Sequence, residues 1–443
     1  MIDLRNLREH TEKVSSQLQT RGVLKETIDE LVATDSALRE AISARDEARA
    51  QINDLSREVG RLSRQGEAEA AAEVRERSRQ LGESLKGMEA TVSQLSERRD
   101  AIWLVLPNIP AHDAPIGEDE SANRVVRYWS PGGGHQDPAD FTLPDFAAPQ
   151  LVPHWEIGAN LGILDLERAG KISGSMFAMF RGKGAKLLRS LTNFALDAHA
   201  DAYEEIRPPT LVRRETMMAT GHLPKFAEEA YAIERDDLYA IPTAEVPLTS
   251  LGRDEIIPEA ELPLRFTAYT SCFRREAGAA GRDTRGLLRL HEFDKVELLI
   301  YCVPDDATAM HFDILSRAEQ LIQRLGLVYR VLDLCTGDLG QSSARTFDLE
   351  VYSPGTGKWL EVSSVSWFGD YQARRANLRY RKADGSGVEF CHTLNGSALA
   401  WARIWAILVE IGRQQDGSVV LPQVLAPYLG GKTTIDPKTS RLI

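Results

Sequence analysis

Residues 272–300 read CFRREAGAAGRDTRGLLRLHEFDKVELLI, which predicts two β-strands joined by a long polar loop. Side chains two apart on a strand share a face, so Arg274 and Glu276 are expected to point the same way. On the returning strand, Phe293 and Glu297 also share a face and lie roughly 13 Å apart at the rise of a strand. This span fits a nucleotide with a small amino acid attached to its phosphate, so the stretch predicts a ligand site.

The loop at residues 277–286 supports this prediction because it is rich in glycine and arginine. Gly278 and Gly281 let the backbone approach a ligand closely, and Arg282 and Arg285 bring positive charge to it. Two charged strands joined by a polar loop more often form a solvated hairpin, which is the alternative interpretation. The large apolar residues beside the charges favour the ligand site.

The pattern of residues 273–276 and 289–293 resembles a known family motif. Phe-Arg-x-Glu, a flexible loop and Arg-x-x-x-Phe are similar to motif 2 of the class II aminoacyl-tRNA synthetases, and the full stretch resembles the seryl-tRNA synthetases. The resemblance implies that Arg274 grips the α-phosphate and the substrate carboxylate. It also implies that Glu276 reads the adenine and that Phe293 stacks under it.

Two further contacts follow from the resemblance. Glu297 is expected to take the substrate serine, since a carboxylate can hold an ammonium group, and Arg275 joins the ATP-binding set. Arginine forms a bidentate fork on an anion and an aromatic face supports a base, so each implied role suits its residue type. Arg274 is the first of two residues expected to act in catalysis.

The composition is that of an ordinary globular protein with room for two or three domains. The chain has 443 residues, 43% of them apolar and 27% charged, and a net charge of −12. The charge alone favours a metabolic enzyme, since RNA binding would need a local basic stripe. Four scattered cysteines predict reduced thiols and no cysteine-based zinc site. A charged N-terminus and short apolar runs predict a cytoplasmic protein that enters no membrane.

Apolar residues recur at intervals of seven in two arms on either side of Gly66: Leu31, Leu38, Ile52 and Val59 with Ala41, Ala48, Leu55 and Leu62, then Val74, Leu81, Met88, Leu95 and Ile102 with Leu85 and Val92. Such heptads are typical of an antiparallel coiled-coil hairpin, here with arms of roughly 60 Å. Taken alone, they more often indicate a dimerisation rod or spacer. The resemblance implies an arm that lies along tRNA. A basic patch for phosphates is formed near its tip by Arg57, Arg61, Arg64, Arg75, Arg77 and Arg79.

A helix predicted at residues 185–202, a strand at 203–206 and Pro208-Pro209 together resemble motif 1 of the class II synthetases. In that family the motif forms the dimer interface, so a homodimer is implied. As a pattern the likeness is weak, because most such helices are simply core elements.

Thr243-Ala244-Glu245 matches the serine-binding loop of the family. The resemblance implies that these residues contact serine, with a hydroxyl and a carboxylate near the substrate amine. By itself Thr-x-Glu more often caps a helix, and Pro247 suits a first helical turn. Both interpretations can hold, because a cap can also line a pocket.

A second hairpin is predicted around residues 353–357, and its returning strand carries Glu361-Val362-Ser363-Ser364. The resemblance implies that these four residues contact ATP and that Glu361 and Ser364 hold Mg²⁺, a hard cation that takes oxygen ligands. Strict alternation puts those two residues on opposite faces, so we predict a bulge or a strand end between them. Without the resemblance, an edge strand with a solvated glutamate is an equal alternative.

Residues 395–410 predict an apolar helix in which Arg403 is the only charge before Glu410. A lone arginine in such a helix needs an anion, which is usually an internal carboxylate. The order of the motifs favours motif 3 of the class II synthetases, in which the arginine binds ATP and acts in catalysis. Asn395 and Ser397 are placed at the helix start, and the resemblance assigns Ser397 to the serine site.

The family motifs occur in order from the N-terminal arm to Pro427. The departures cluster near one site: Val365, Ser366 and Trp367 where the family usually reads Cys-Ser-Asn, and Ala398, Trp401 and Ala402 in motif 3. These changes predict either a reshaped pocket or a repacked layer behind it.

We therefore predict an α+β fold, with a class II catalytic domain on an antiparallel sheet at residues 109–443. A helical tRNA-binding domain with the coiled-coil hairpin precedes it at residues 1–108. The implied activity is ATP- and Mg²⁺-dependent activation of L-serine and its transfer to tRNA(Ser). One alternative is a relative that activates serine or a related amino acid for a carrier protein or small molecule, and another is an inhibitor-tolerant self-resistance copy. A non-catalytic RNA-binding paralogue would lack the motif 2 and motif 3 arginines, and both are present.

Overall fold

A computed structural model of the protein describes residues 1–277 and 285–437. The chain divides into two compact units, Ile2–Leu106 and Pro107–Ile443. Each unit has buried apolar residues of its own, which hold it together by the removal of apolar surface from water.

The first unit is helical, with α1 (Leu4–Glu9), α2 (Thr11–Gln19), α3 (Lys25–Gln65) and α4 (Ala68–Trp103). Helix α3 ends at Gly66, which adopts a left-handed conformation with φ of +78° and donates its amide to carbonyls of the last turn. Beyond this turn, α4 packs back along α3, which confirms the predicted antiparallel hairpin. Across the hairpin, Arg49 donates to Glu89 at 2.7 Å, and Leu62 is buried against Val74.

The strands of the second unit are β1 (Arg124–Ser130), β2 (Gly134–Gln136), β3 (Glu204–Glu205), β4 (Leu211–Arg213), β5 (Tyr231–Ile233), β6 (Leu238–Ala240), β7 (Ile256–Pro258), β8 (Leu264–Phe273), β9 (Glu292–Cys302), β10 (Tyr329–Asp333), β11 (Arg345–Ser353), β12 (Lys358–Trp367), β13 (Arg379–Arg381), β14 (Val388–Phe390), β15 (His392–Ala400), β16 (Val419–Val420) and β17 (Thr434–Ile435). The main sheet has the order β2-β1-β10-β11-β12-β15-β9-β8-β3. Its described neighbours are antiparallel, except that β3 runs parallel to β8. The predicted antiparallel sheet is therefore confirmed.

The helices of the second unit are α5 (His154–Leu161), α6 (Leu166–Ser173), α7 (Lys183–His199), α8 (Arg214–Ala219), α9 (Glu245–Thr249), α10 (Ala307–Arg324), α11 (Tyr371–Ala376), α12 (Trp401–Ile411) and α13 (Ala426–Leu429). Helices α7, α10 and α12 pack on the main sheet. Ile404 and Ile407 of α12 are fully buried, and each contributes roughly 1.5–3 kcal/mol by leaving water. Arg403, directly before Ile404 in the first turn of the helix, is half-buried.

The sheet begins in a stretch of chain for which the sequence analysis predicted no strand. Strand β1 pairs with β10, and a glycine-rich turn at residues 131–134 leads into β2. Proline and glycine crowd the surrounding chain, which obscured a short run of β-favouring residues from Val125 to Trp129.

The end of the first motif 2 strand differs from the prediction. Strand β8 ends at Phe273, so Arg274 and Glu276 lie beyond it, and Glu276 has φ of +52°. The expected contacts of Gly278 and its loop fall on residues 278–284, outside the described residues.

The predicted motif 3 helix begins later than expected. Asn395 and Ser397 lie on β15, not at a helix start, because β15 pairs with β9 and β12 on its two sides. Short apolar runs do not distinguish a buried strand from a helix, and here the neighbouring strands decided the outcome.

Candidate active site

A cavity of about 450 Å³ opens among residues of β9, β12, β15 and the segment after β8. Its lining includes four residues that the sequence placed in separate motifs: Arg274, Phe293, Glu361 and Arg403. The order of the sheet brings them together, because β9 lies between β8 and β15, and β15 lies between β9 and β12.

One end of the cavity carries an aromatic ring with cations around it. The guanidinium carbon of Arg274 lies 5.2 Å from the centre of the Phe293 ring, which is the range of a cation–π contact. Beside them, Arg289 forms an ion pair with Glu276. A flat apolar face next to arginines suits a nucleotide, because the ring supports the base and the arginines match phosphate.

Strand β12 contains the predicted bulge. Its register against β11 shifts between Leu349 and Glu350, which leaves Val362 as the extra residue. An extra residue reverses the alternation of faces. Glu361 and Ser364 therefore both line the cavity, together with Val362.

Glu361 and Ser364 offer one carboxylate and one hydroxyl to the cavity. Among the residues that the structure describes, no group of three or more His, Cys, Asp or Glu side chains could hold a metal ion. Two oxygen ligands nevertheless fit Mg²⁺, which keeps several waters and takes its remaining ligands from substrate phosphates. Arg403 Nη1 lies 3.8 Å from Glu361 Oε2, so the same end of the cavity holds a fixed positive charge.

Asp348 on β11 was missed by the sequence analysis. It pairs across the sheet with Ser364, and it lines a neighbouring cavity shared with Glu361. Burial raises the pKa of Asp348 well above its usual range, and the charge of Glu361 adds to the rise. The signal that could have found Asp348 is its place on the first strand of the predicted hairpin, opposite the strand that carries residues 361–364.

The other end of the cavity is a cluster built on two carboxylates. Thr243 Oγ1 donates to Glu297 Oε2 at 2.8 Å. Asn395 Nδ2 donates to both carboxylates, at 2.8 Å to Glu245 Oε2 and 3.1 Å to Glu297 Oε1. Gln372 Nε2 donates to Glu245 Oε1 at 2.6 Å. The cluster presents negative oxygen atoms to an ammonium or hydroxyl group.

Helix α9 begins at Glu245, and Thr243 lies two residues before it, where its Oγ1 accepts from the Glu245 amide at 3.3 Å. The N-cap residue is Ala244 and the helix has no side-chain cap hydrogen bond, so Thr243 is not the cap. Thr243 and Glu245 both line the cavity, in line with the pocket interpretation. Burial raises the pKa of Glu245 to about 7, and the charge of Glu297 adds to the rise. Lys295 and Gln372 act in the opposite direction.

Two more side chains in the cavity had no role in the sequence analysis. Lys295 is only 6% exposed and forms an ion pair with Glu297. His222 Nδ1 lies 2.7 Å from Thr220 Oγ1, and burial lowers the pKa of His222 to about 3, so its ring is neutral near pH 7. Lys295 had a signal, because it shares a strand face with Phe293, whereas His222 had none.

Strand β15 brings Asn395 and Ser397 to the cavity and then bulges before α12. Its register against β9 shifts between Ser397 and Ala400. Leu399, inside the bulge, has φ of +75°, a conformation that costs a non-glycine residue of order 1–3 kcal/mol. Strained backbone of this kind persists where packing fixes it, and Leu399 is fully buried.

Arg403 lies in the first turn of α12 and reaches the cavity wall. Its Nε donates to the Leu288 carbonyl at 3.3 Å, and its Nη1 donates to the Glu361 carbonyl at 2.5 Å. These contacts come from the end of the motif 2 stretch and from β12. The guanidinium therefore joins three motifs at the nucleotide end.

Comparison with known proteins agrees with this geometry. The family model "Seryl-tRNA synthetase N-terminal domain" matches residues 1–110, and "tRNA synthetase class II core domain (G, H, P, S and T)" matches residues 229–412. The serine--tRNA ligase of Gemmatimonas aurantiaca is 48% identical over 97% of this chain and 99% of its own length. That of Geobacillus kaustophilus is 44% identical over 98% of this chain and all of its own. The chain belongs to the seryl-tRNA synthetase family.

Solved structures of this family have the same fold. The seryl-tRNA synthetase of Pyrococcus horikoshii, complexed with ATP, matches with a TM-score of 0.88 and 33% identity, over 99% of this chain and 100% of that one. A cytoplasmic serine-tRNA ligase from Naegleria fowleri, in complex with AMP, matches with a TM-score of 0.82 and 28% identity, over 98% and 99%. As a family member, the chain is an aminoacyl-tRNA synthetase with a class II core and an N-terminal helical hairpin.

Four residues expected in the synthetase site do not line the cavity surface directly: Arg275, Ala244, Glu297 and Ser363. Glu297 is fully buried but bonds to Thr243, which does line it. Ser363 Oγ donates to the Ser397 carbonyl at 2.6 Å, and Ala244 is packed in the core. Arg275 donates to the Glu228 carbonyl and is exposed.

Among the departures from the synthetase pattern, Ser366 and Ala402 line the cavity and the others lie behind it. Val365 and Trp401 are fully buried in the core, and neither they nor Trp367 line the cavity in the described structure. Trp367 Nε1 donates to His392 Nδ1 at 3.3 Å. A repacked layer behind the cavity fits the positions of Val365, Trp367 and Trp401, whereas Ala402 belongs to the cavity wall itself.

Proposed function

We propose that this protein activates L-serine with ATP to form seryl-adenylate and then transfers the seryl group to the 3′ end of tRNA(Ser). The observation that carries the proposal is the single cavity with Phe293 and Arg274 at one end and the Glu245–Glu297 cluster at the other. A base-stacking ring and an ammonium-binding cluster at opposite ends suit the two halves of an aminoacyl-adenylate.

The first step needs alignment and charge neutralisation, with no protein nucleophile. A serine carboxylate oxygen forms a bond to the α-phosphorus while the bond from that phosphorus to the pyrophosphate oxygen breaks. Pyrophosphate leaves with the electron pair. Arg274 of motif 2 and Arg403 of motif 3 both line the cavity and would offset the negative charge on the phosphoryl oxygens.

In the second step, the terminal ribose hydroxyl of the tRNA attacks the carbonyl carbon of the adenylate. The bond between that carbon and the phosphate oxygen breaks, AMP leaves with the electron pair, and the hydroxyl proton passes to solvent or phosphate. The protein residues hold the adenylate in place for this attack, as in the first step.

Serine is selected by its ammonium and hydroxyl groups. Thr243, Glu245, Ser397 and the buried Glu297 surround one end of the cavity, and their polar atoms need partners from a substrate or from each other. Alanine brings no hydroxyl and would leave a buried polar group unpaired, so we expect strong rejection of alanine.

Mg²⁺ would be held by Glu361 and Ser364, which offer a carboxylate and a hydroxyl beside the phosphate end. When bound, the ion neutralises charge on the ATP phosphates. The protein's part is to hold those two oxygen ligands on the same side of β12 by means of the bulge at Val362.

The helical hairpin would bind tRNA. We propose that residues 1–108 form the tRNA-binding domain and residues 109–443 the catalytic domain. Arg57 at the far end of α3 has 80% of its side chain exposed, which suits contact with RNA phosphates. We further propose a homodimer that uses motif 1, in the cytoplasm where tRNA is charged. No helix among the described residues could cross a membrane.

Pyrophosphate exchange into ATP tests the proposal. We expect exchange that depends on serine and is much weaker with threonine, cysteine or alanine, followed by charging of tRNA(Ser). No exchange with any amino acid would refute the activity. Serine-dependent exchange without tRNA charging would instead favour an enzyme that loads a carrier protein or a small molecule.

A further inference from the structure

Lys295 lies between two ligand-binding positions on one strand face. On β9, Phe293, Lys295 and Glu297 follow each other at steps of roughly 7 Å. The Lys295 side chain lines the cavity, and its Nζ forms an ion pair with Glu297. If adenine stacks on Phe293 and the serine ammonium lies at Glu297, the lysine lies where serine meets the α-phosphate.

Arg274 and Lys295 act on the same neighbours. The positive charges of both residues lower the pKa of Glu245 against the effect of burial, and both contribute to the low pKa of His222. Both side chains line the same cavity, Lys295 from β9 and Arg274 from the segment after β8, the strand that pairs with β9. The guanidinium and the ammonium can therefore reach the same bound substrate.

A role as a counter-ion alone does not account for Lys295. Glu297 already accepts hydrogen bonds from Thr243 and Asn395, so its oxygens have partners without the lysine. Burying an ammonium is strongly unfavourable before its attractions are counted. This cost is explained if the ammonium has a second anionic partner for part of the reaction.

The substrate supplies that second partner. When the serine ammonium reaches Glu297, two ammonium groups share one carboxylate and repel each other. Serine carries its carboxylate on the same carbon as its ammonium, so the nearest new anion to Lys295 is the reacting carboxylate itself.

We propose that the Lys295 ammonium contacts the serine carboxylate and then the α-phosphoryl oxygens during adenylate formation, beside Arg274. This inference rests on the proposed function. The bond from carboxylate oxygen to α-phosphorus forms and the bond to pyrophosphate breaks, as described above. The positive charge of Lys295 offsets negative charge that collects around phosphorus.

The test uses the full-length protein and the variant Lys295→Gln, which keeps a hydrogen-bond donor for Glu297 but removes the charge. Lys295→Arg keeps the charge. Arg127→Met is the control, because it removes the partly buried Arg127–Glu319 ion pair, whose residues do not line the cavity. The measurements are kcat and KM for serine in pyrophosphate exchange, binding of serine alone, binding of a sulfamoyl analogue of seryl-adenylate, and the thermal midpoint.

We expect Lys295→Gln to lower kcat by about 100-fold or more, in line with the loss of one donor to a developing anion. It should weaken the analogue at least tenfold more than serine alone, and Lys295→Arg should recover part of kcat. The control should behave as wild type in exchange.

Two results would overturn the inference: a Lys295→Gln kcat within threefold of wild type, or an equal loss of affinity for serine and for the analogue. The second result would show that Lys295 only holds Glu297 in place. If Lys295→Gln does not fold, the same two thresholds apply to Lys295→Met. The affinity of Lys295→Arg for the analogue is then compared with its affinity for serine. Absence of exchange in the wild-type protein would instead refute the proposed function.

Discussion

The guanidinium of Arg274 covers the ring of Phe293, with its carbon 5.2 Å from the ring centre. The Nε atom of the same arginine donates to the Pro242 carbonyl at 3.4 Å, directly before Thr243. Arg274 therefore extends from the ring of Phe293 to the segment that carries Thr243 and Glu245. We expect ATP to bind with its base on Phe293 and its α-phosphate beside Arg274.

Phe293→Leu should raise the KM for ATP by about 10- to 100-fold, because base stacking on an aromatic ring is worth roughly 1–3 kcal/mol. The KM for serine should change little, since the serine cluster lies at the other end of the cavity. Pyrophosphate exchange at varied ATP measures the effect. Phe312→Leu, on an exposed phenylalanine of α10, is the control. An unchanged KM for ATP would contradict the stacking role.

Arg403→Met should lower kcat for exchange by about 100- to 1000-fold, since one fixed donor to a developing anion is removed. The thermal midpoint should stay close to that of wild type, because the hydrogen bonds of Arg403 to the described residues go to carbonyls at the cavity wall and its Nη1 lies 3.8 Å from Glu361 Oε2. Arg381→Met, at an exposed position of β13, is the matched control. A kcat near that of wild type would rule out the motif 3 role.

Asn395→Ala should raise the KM for serine by about tenfold or more, because hydrogen bonds to charged groups contribute roughly 1.5–3 kcal/mol. One side-chain amide holds both Glu245 and Glu297, so its loss lets the two carboxylates move apart. The KM for ATP should be unaffected. Asn6→Ala, at an exposed position in α1, serves as control. Equal rises in both KM values would indicate general disruption.

Serine binding should release protons near pH 7. Burial raises the pKa of Glu245 to about 7, with Glu297 adding to the rise, so the carboxyl is protonated in part of the molecules at that pH. The incoming ammonium favours the ionised form and expels the proton, so serine affinity should increase as the pH rises from about 6 to 8. Calorimetric titrations in buffers of different ionisation enthalpy measure the release. Glu245→Gln should abolish it, and release of the same size in this variant would assign the proton to another group.

The same carboxyl should affect stability with the opposite trend. Its pKa is higher in the folded than in the unfolded protein, so the contribution of the protonated form is complete below about pH 4.5 and is lost as the pH rises through about 7. The shift corresponds to about 3 kcal/mol at most. Thermal midpoints of wild type and Glu245→Gln should therefore differ in their pH dependence across this range. Parallel curves would contradict the raised pKa.

Arg57→Glu combined with Arg64→Glu should weaken tRNA charging and leave pyrophosphate exchange unchanged. Both arginines lie near the end of α3, and phosphate contacts depend on such charges. The KM for tRNA should rise by about tenfold or more, and its dependence on salt should become shallower. Lys25→Glu, at the start of the same helix, is the control. An unchanged KM for tRNA would show that the arm tip does not contact the RNA.

Much of the fold could be predicted because its signals are local. Heptads in residues 25–102 predict a hairpin from nearby residues alone, and Gly66 marks its turn. The bulge between Glu361 and Ser364 could also be predicted, since two ligands of one ion cannot lie on opposite faces of a strand. Residue type at fixed spacing carried both inferences.

Other features depended on contacts between distant parts of the chain. Asn395 lies on a strand because β9 and β12 flank it, which no local pattern shows. Lys295 and His222 became site residues only when Arg274 and Glu245 were placed beside them. Burial, and with it the pKa of a group, is a property of the packed molecule.

The sequence by itself determined the family, the order of its motifs and the chemical type of each ligand-binding side chain, because these depend on residue identity and short spacing. Only the tertiary structure decided that Arg274, Phe293, Glu361 and Arg403 share one cavity and that Lys295 lies among them. The physical reason is that the order and register of the strands depend on hydrogen bonds and packing between segments far apart in the chain.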